Sequence, residues 1–116
     1  MIDTMDELER FRKAIAVQGF DIILIADTEG FLLAENSESS ADSDRLASLS
    51  AMLVSSMRQI SDTIDSGAFN IAILEYDEKT ILTGGIHDYV VMGIPSQKTP
   101  IGFARKEMKK SLNMLL

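Results

Sequence analysis

The sequence predicts a single α+β domain, an antiparallel sheet covered by helices in the order α-β-β-α-β-β-β-α. Three observations predict it. Apolar residues recur at three- and four-residue steps in three segments, and run continuously or alternate in five others. Most turns between the strand segments are two or three residues long, enough for hairpins and too short for parallel crossovers. The chain has 116 residues, of which 46% are apolar, which suits one sheet layer with two or three helices on it.

The first helix opens on Thr4-Met5-Asp6-Glu7, which has the form of a capping box. Met5, Leu8, Phe11 and Ile15 follow at helical spacing, and Gly19 after Gln18 is expected as the left-handed cap. The first strand begins at Phe20. Beyond Asp21 it is continuously apolar to Ala26, as a strand buried on both faces would be. Asp27-Thr28-Glu29-Gly30 turns it into a second strand, Phe31–Ala34. A polar loop from Glu35 to Ala41 leads to Asp42, a good N-cap, with Asp44 in the first turn where the helix dipole favours it.

The second helix, ending near Asp65-Ser66-Gly67, is the most informative element. From Leu46 to Met57 it has no charged residue. Leu46, Leu49, Leu53, Met57, Ile60 and Ile64 form an apolar stripe expected to face the sheet. Ala47, Ser48, Ala51 and Ser55 are small and uncharged, and are expected on the other side. Such a helix is expected to be covered on both sides, by a second copy or a partner protein. The bland alternative is burial within the chain, with Ser and Ala chosen for fit.

Three strands follow as a meander: Phe69–Tyr76, Thr80–Ile86 and Tyr89–Ile94. Gly84-Gly85 marks a bulge or a close backbone contact. Phe69–Tyr76 has a sequence neighbour on one side only. An open outer edge there would be an apolar strand in need of a partner, and pairing with its own copy would give a two-fold dimer. Thr99-Pro100 reads as N-cap and first helical residue, and Ile101, Ala104, Met108 and Leu112, with Leu115 beyond, form the apolar face of the last helix.

Composition excludes several function classes. The net charge of −7 argues against nucleic acid, which needs a basic stripe. Arg105, Lys106, Lys109 and Lys110 form one basic cluster, read as solvated and favourable with the helix dipole, against a membrane-surface or acidic-partner patch. There is no cysteine, hence no disulfide or thiolate metal site. No run is long enough to span a bilayer, and the acidic start MIDTMDELERF is unlike a signal peptide, so a cytoplasmic location is expected. There is no GxxxxGK[ST] loop, no metal-ligand spacing, and one histidine, His87, in a tight turn. Asp27 with Glu29, and Asp77 with Glu78, suit solvated turns better than acid–base work. No catalytic residue, cofactor or metal is expected.

The segments FDIILIADTEGFLLAEN, DSDRLASLSAMLVSSM and PIGFARKEMKKSL, in this order and spacing, resemble the Roadblock family of dynein light chain roadblock-type and MglB-like domains. The resemblance covers nearly the whole chain. It implies a profilin-like Roadblock fold: a five-stranded antiparallel sheet with the long second helix on one face and the terminal helices on the other. It implies homodimers that join sheets through the third strand and set their second helices side by side, and it implies a small Ras-like GTPase as partner. Activators of this type are implied to remodel the GTPase's own catalytic groups rather than insert an arginine, although Arg45 and Arg58 are the arginines placed for such a role.

On that basis Arg45, Ser48, Met52, Ser55 and Gln59 become candidate partner contacts. Ala47, Ala51, Val54 and Arg58 on the helix, with Phe69, Ile71, Ile73 and Glu75 on the strand, become candidate dimer contacts. The expected function is a homodimeric, non-catalytic regulator or scaffold of a small Ras-like GTPase, with stimulation of GTP hydrolysis as its strongest form. The alternatives are an adaptor or assembly subunit of a motor or signalling complex without a GTPase, and a small-ligand sensor.

Overall fold

A computed structural model describes residues 4–37 and 41–116, the side chains of Thr4 and Met5 excepted. The elements are α1 (Thr4–Ala14), β1 (Phe20–Asp27), β2 (Leu32–Ser37), α2 (Ser43–Ile64), β3 (Ile71–Glu75), β4 (Thr80–Ile86), β5 (Tyr89–Pro95) and α3 (Ile101–Asn113). The order is the one the sequence predicts. The strands form one antiparallel sheet in the order β2-β1-β5-β4-β3.

The continuous apolar run of β1 fills both faces of this sheet, as a central strand should. Ile23 and Ile25 point to one core, with Leu82, Val91, Phe11, Met108 and Leu115. Ile22, Leu24 and Ala26 point to the other, with Ala47, Val54, Val90 and Met92. The first core lies under α1 and α3, the second under α2.

Gly84-Gly85 makes no bulge; the β4 register is unbroken on both sides. The pair serves close approach instead, one glycine to each face. A Cβ at Gly84 would stand 2.8 Å from the Leu112 side chain of α3 and 2.7 Å from the Asn70 carbonyl; one at Gly85 would stand 2.9 Å from Val54 of α2. Two helices therefore descend onto β4 from opposite sides.

Several ends differ from expectation. α1 stops at Ala14, and Gly19 (φ +90°) serves the loop that follows rather than the helix. Its carbonyl accepts the Ser96 backbone N–H and the Thr99 hydroxyl, tying the α1–β1 loop to the β5–α3 loop. Thr99 is thereby occupied, and Pro100 stands at the N-cap of α3. Ile101 is 46% exposed instead of joining the buried face of α3. β2 begins one residue late and runs on to Ser37, because Glu35, Asn36 and Ser37 pair with Leu24, Ile23 and Ile22. Residues 38–40 of the polar loop expected from Glu35 to Ala41, and the side chains of the proposed capping box at Thr4 and Met5, lie outside the described residues.

Asp42 caps α2 as expected, accepting the Arg45 backbone N–H at 3.1 Å. At the far end Asp65 takes the left-handed position (φ 52°) and its N–H reaches the Ser61 carbonyl. Inside the first core, Glu107 of α3 is 4% exposed. Its carboxylate accepts the Gln18 backbone N–H at 3.0 Å and stands 3.4 Å from Lys110. Gln18 chiefly, with Lys110 adding, holds this carboxyl below the usual range against the opposing effect of burial.

Candidate interaction surface

α2 is turned on its axis relative to the sequence expectation. Its buried residues are Ala47, Ser50, Ala51 and Val54, the small ones. Three of the four expected helix contacts of a dimer, Ala47, Ala51 and Val54, are thus consumed by the chain's own sheet. The fourth, Arg58, is half-buried over Gly85 and donates to the His87 carbonyl at 3.1 Å. The physical reason is distance. Small side chains let the helix axis settle close to the sheet, where Gly85 leaves room for Val54.

The large apolar stripe is consequently displaced to one side of the helix. Leu49 is 47% exposed, Ile60 52% and Ile64 65%, while Leu46, Leu53 and Met57 are half-buried. This side looks toward β3. Leu46, Leu49 and Leu53 form one wall of a groove of about 390 Å³, and Leu74, Tyr76 and Ile81 form the other. β3 is an edge strand, hydrogen-bonded to β4 alone.

The strand contacts expected from sequence divide between inside and outside. Phe69 lies just before β3 and is half-buried against the α2-side core, and Ile71 is half-buried against the α3-side core. Ile73, 40% exposed, and Glu75 remain on the surface.

The five expected partner contacts come together. Arg45, Ser48, Met52, Ser55 and Gln59 are all exposed. At 100° per residue they share the flank of α2 turned away from the β3 groove. This flank adjoins the β1–β2 turn: Ser48 donates to the Gly30 carbonyl at 3.3 Å, and Thr28, Glu29, Met52 and Ser55 line a shallow depression of about 330 Å³.

The turn is fixed by Asp27, whose carboxylate accepts the backbone N–H groups of Glu29 and Phe31, each at 3.0 Å. A Cβ on Gly30 (φ +93°) would meet the Ser48 backbone at 3.0 Å, so helix and turn touch with no side chain between. Phe31, the next residue, is 65% exposed, and Met52 is 66% exposed. Phe31 thus lies outside the strand in which the sequence pattern puts it. Its carbonyl accepts the Asp27 backbone N–H at 3.0 Å while its own N–H goes to the Asp27 carboxylate, so it closes the turn and the ladder starts at Leu32.

Among the described residues no group of three or more His, Asp or Glu is placed to hold a metal ion, and no helix is long and apolar enough to cross a membrane. The chemistry on offer is a surface, one flank apolar and the other small, polar and studded with Met52 and Phe31.

Comparison with known proteins agrees with this architecture. The Roadblock/LC7 domain pattern matches residues 8–95, from α1 to the end of β5. The solved structure of Myxococcus xanthus MglB superposes with a TM-score of 0.76 at 20% identity, over 99% of this chain and 94% of that one. The gliding protein MglB of Thermus thermophilus gives 0.78 at 16% identity, over 99% and 90%. A Roadblock/LC7 domain from Streptomyces avermitilis gives 0.76 at 13% identity, over 90% of each chain. No curated protein sequence matches the chain. The order of elements, the five-stranded antiparallel sheet and the match over most of the length lead to one conclusion: the chain belongs to the Roadblock/LC7 domain family.

Proposed function

We propose that this chain is a homodimeric regulator or scaffold that docks a small Ras-like GTPase on its α2 face. The observation that carries the reading is the asymmetry of α2. One flank is an apolar stripe beside an unpaired strand edge; the other is exposed, small-residued and set against an ordered turn.

A two-fold axis through the β3 edge pairs β3 with its own copy and closes the apolar groove with the copy's stripe. Leu49, Leu53, Ile60, Ile64 and Ile73 then carry association. Arg45, Ser48, Met52, Ser55 and Gln59, joined by Phe31, remain free for the partner. The partner class comes from the Roadblock resemblance, and the MglB-like neighbours support it. The mechanism is differential affinity. A surface that prefers the GTP-bound or transition-state form shifts populations or speeds hydrolysis; one that binds both forms equally is a scaffold.

The test begins with molar mass by light scattering over a concentration series, where twice the chain mass is expected. It continues with calorimetric binding to a purified small Ras-like GTPase, loaded with GTP analogue or with GDP. Ser55→Glu is expected to weaken binding at least tenfold without changing the dimer. Unchanged binding moves the docking face elsewhere, and a monomer at all concentrations removes the β3 reading.

A further inference from the structure

Charge is distributed very unevenly along this chain. Residues 98–110 hold five of its eleven Lys and Arg and one acid, a net of +4, while the remainder carries −11. The one acid is Glu107, turned into the core. The outward surface of α3 is therefore cationic without interruption: Arg105, Lys106, Lys109 and Lys110 are all exposed, and Lys98 stands exposed in the loop before them. Of these five cations, Lys110 is the one with an ion-pair partner among the described residues. The neighbouring α1 carries three acids and three bases and is neutral overall.

The helix dipole explains only part of this. It favours cations in the last turn, where Lys110 lies. The effect falls off within that turn, so it does not account for Arg105, Lys106 and Lys109 in the body of the helix or for Lys98 in the loop before it. Four of the five cations thus have neither an ion-pair partner among the described residues nor a favourable helix end, which points to an anion outside the chain.

We propose that the outward face of α3 docks on an anionic bilayer surface. The shape of the face favours this occupant over an acidic peptide. It is the convex back of a single helix, with four cations fanned over roughly 140° of its circumference and no groove between them. Exposed apolar side chains flank the cations at both ends: Ile101 and Phe103 before them, Leu116 after, 46%, 41% and 62% exposed. Cations over headgroups with apolar side chains entering at the ends is how interfacial helices bind. The proposal stands for a single chain. If the dimer proposed above forms, its two-fold axis sets both α2 helices on one side and both α3 helices on the other, so the basic faces become coplanar and double.

The test is co-sedimentation of the full chain with phosphatidylcholine vesicles, with and without about one-third phosphatidylglycerol. Binding is expected only to the anionic vesicles and is expected to vanish at high salt. Each cation near such a surface contributes about fivefold, so Lys106→Gln/Lys109→Gln is expected to lower partitioning about 25-fold. Lys79→Gln, an equal charge loss per residue in the β3–β4 turn, is expected to change it little.

Failure to sediment with anionic vesicles overturns the proposal. So does equal binding by the double variant, and so does capture by poly-glutamate with no vesicle binding. Light scattering on the same samples keeps this test separate from the dimer: a monomer that binds vesicles through α3 sinks the dimer reading and leaves this one standing.

Discussion

Val54 and Leu49 lie five residues apart on one helix, and the rotation of α2 gives them opposite consequences. Val54 is 1% exposed, with one methyl resting over Gly85. Val54→Ala removes two carbons, worth about 1.6 kcal/mol of transfer, and the void that remains brings the cost to about 2 kcal/mol. With about 2.1 cal/mol/K per residue over 116 residues, the unfolding entropy is roughly 0.24 kcal/mol/K, so Tm falls by about 8 °C. Leu49 is 47% exposed at the rim of the β3 groove. Leu49→Glu is expected to cost the single chain only about 0.5 kcal/mol, as surface changes do, yet to abolish association by placing a carboxylate on the apolar stripe. Calorimetry at one fixed protein concentration reads the first effect, because dissociation and unfolding are linked. Light scattering reads the second. If Leu49→Glu unfolds the chain while Val54→Ala leaves Tm unchanged, the stripe faces the sheet after all, and the surface derived from α2 is wrong.

Two further outcomes follow from local contacts. Asp42→Ala removes the acceptor for the Arg45 N–H and is expected to cost about 1 kcal/mol, near 4 °C in Tm, with the change confined to the start of α2 in amide exchange. Glu107→Gln tests the depressed carboxyl. A folded-state pKa below the unfolded value contributes stability that is present above the unfolded value and is lost as pH falls through the folded one. Wild type is therefore expected to lose more Tm than Glu107→Gln between neutral pH and the acid side of the carboxylate range, and parallel pH profiles would show that Glu107 contributes no pH-linked stability.

The elements themselves are legible because each carries a local signal. The β1 run from Ile22 to Ala26 is apolar at every position and forms an interior strand, paired on both sides. Asp42 has the side chain of a cap in the place of a cap, and it is one. The rotation of α2 is not legible from hydrophobicity, because a stripe of six large apolar residues is the strongest periodic signal in the segment and by itself points to the core. Packing decides otherwise: Ala47, Ala51 and Val54 fit against a sheet whose facing strand carries glycine at position 85. The clue lies in two segments that have to be read together, small residues on a helix and a glycine pair in a strand. The flank with Ser48, Met52, Ser55 and Gln59 is legible as a set, since helical spacing alone keeps those residues together whichever way the helix turns.

The two edges of the sheet show why one of them suits association. On β2, Glu35 and Asn36 are exposed and the β1–β2 register shifts between Ile25 and Ala26, which are devices that discourage another strand from adding. On β3 the sequence Ile71-Ala72-Ile73-Leu74-Glu75 has no Pro or Lys, its register with β4 is regular, and the helices above and below pack on other strands. Such an edge left bare is an aggregation hazard, and the chain's charge of −7 opposes clustering without specifying what covers it. The stripe on α2 supplies the missing specificity. A random partner strand would satisfy the β3 backbone but leave Leu49, Leu53 and Ile60 in water, whereas a second copy related by a two-fold axis brings an identical strand and an identical stripe together. Ile73→Lys, which leaves the buried cores untouched, is therefore expected to oppose both pairings at once and yield a well-folded monomer by light scattering; a variant that still runs at twice the chain mass would show that β3 does not carry association.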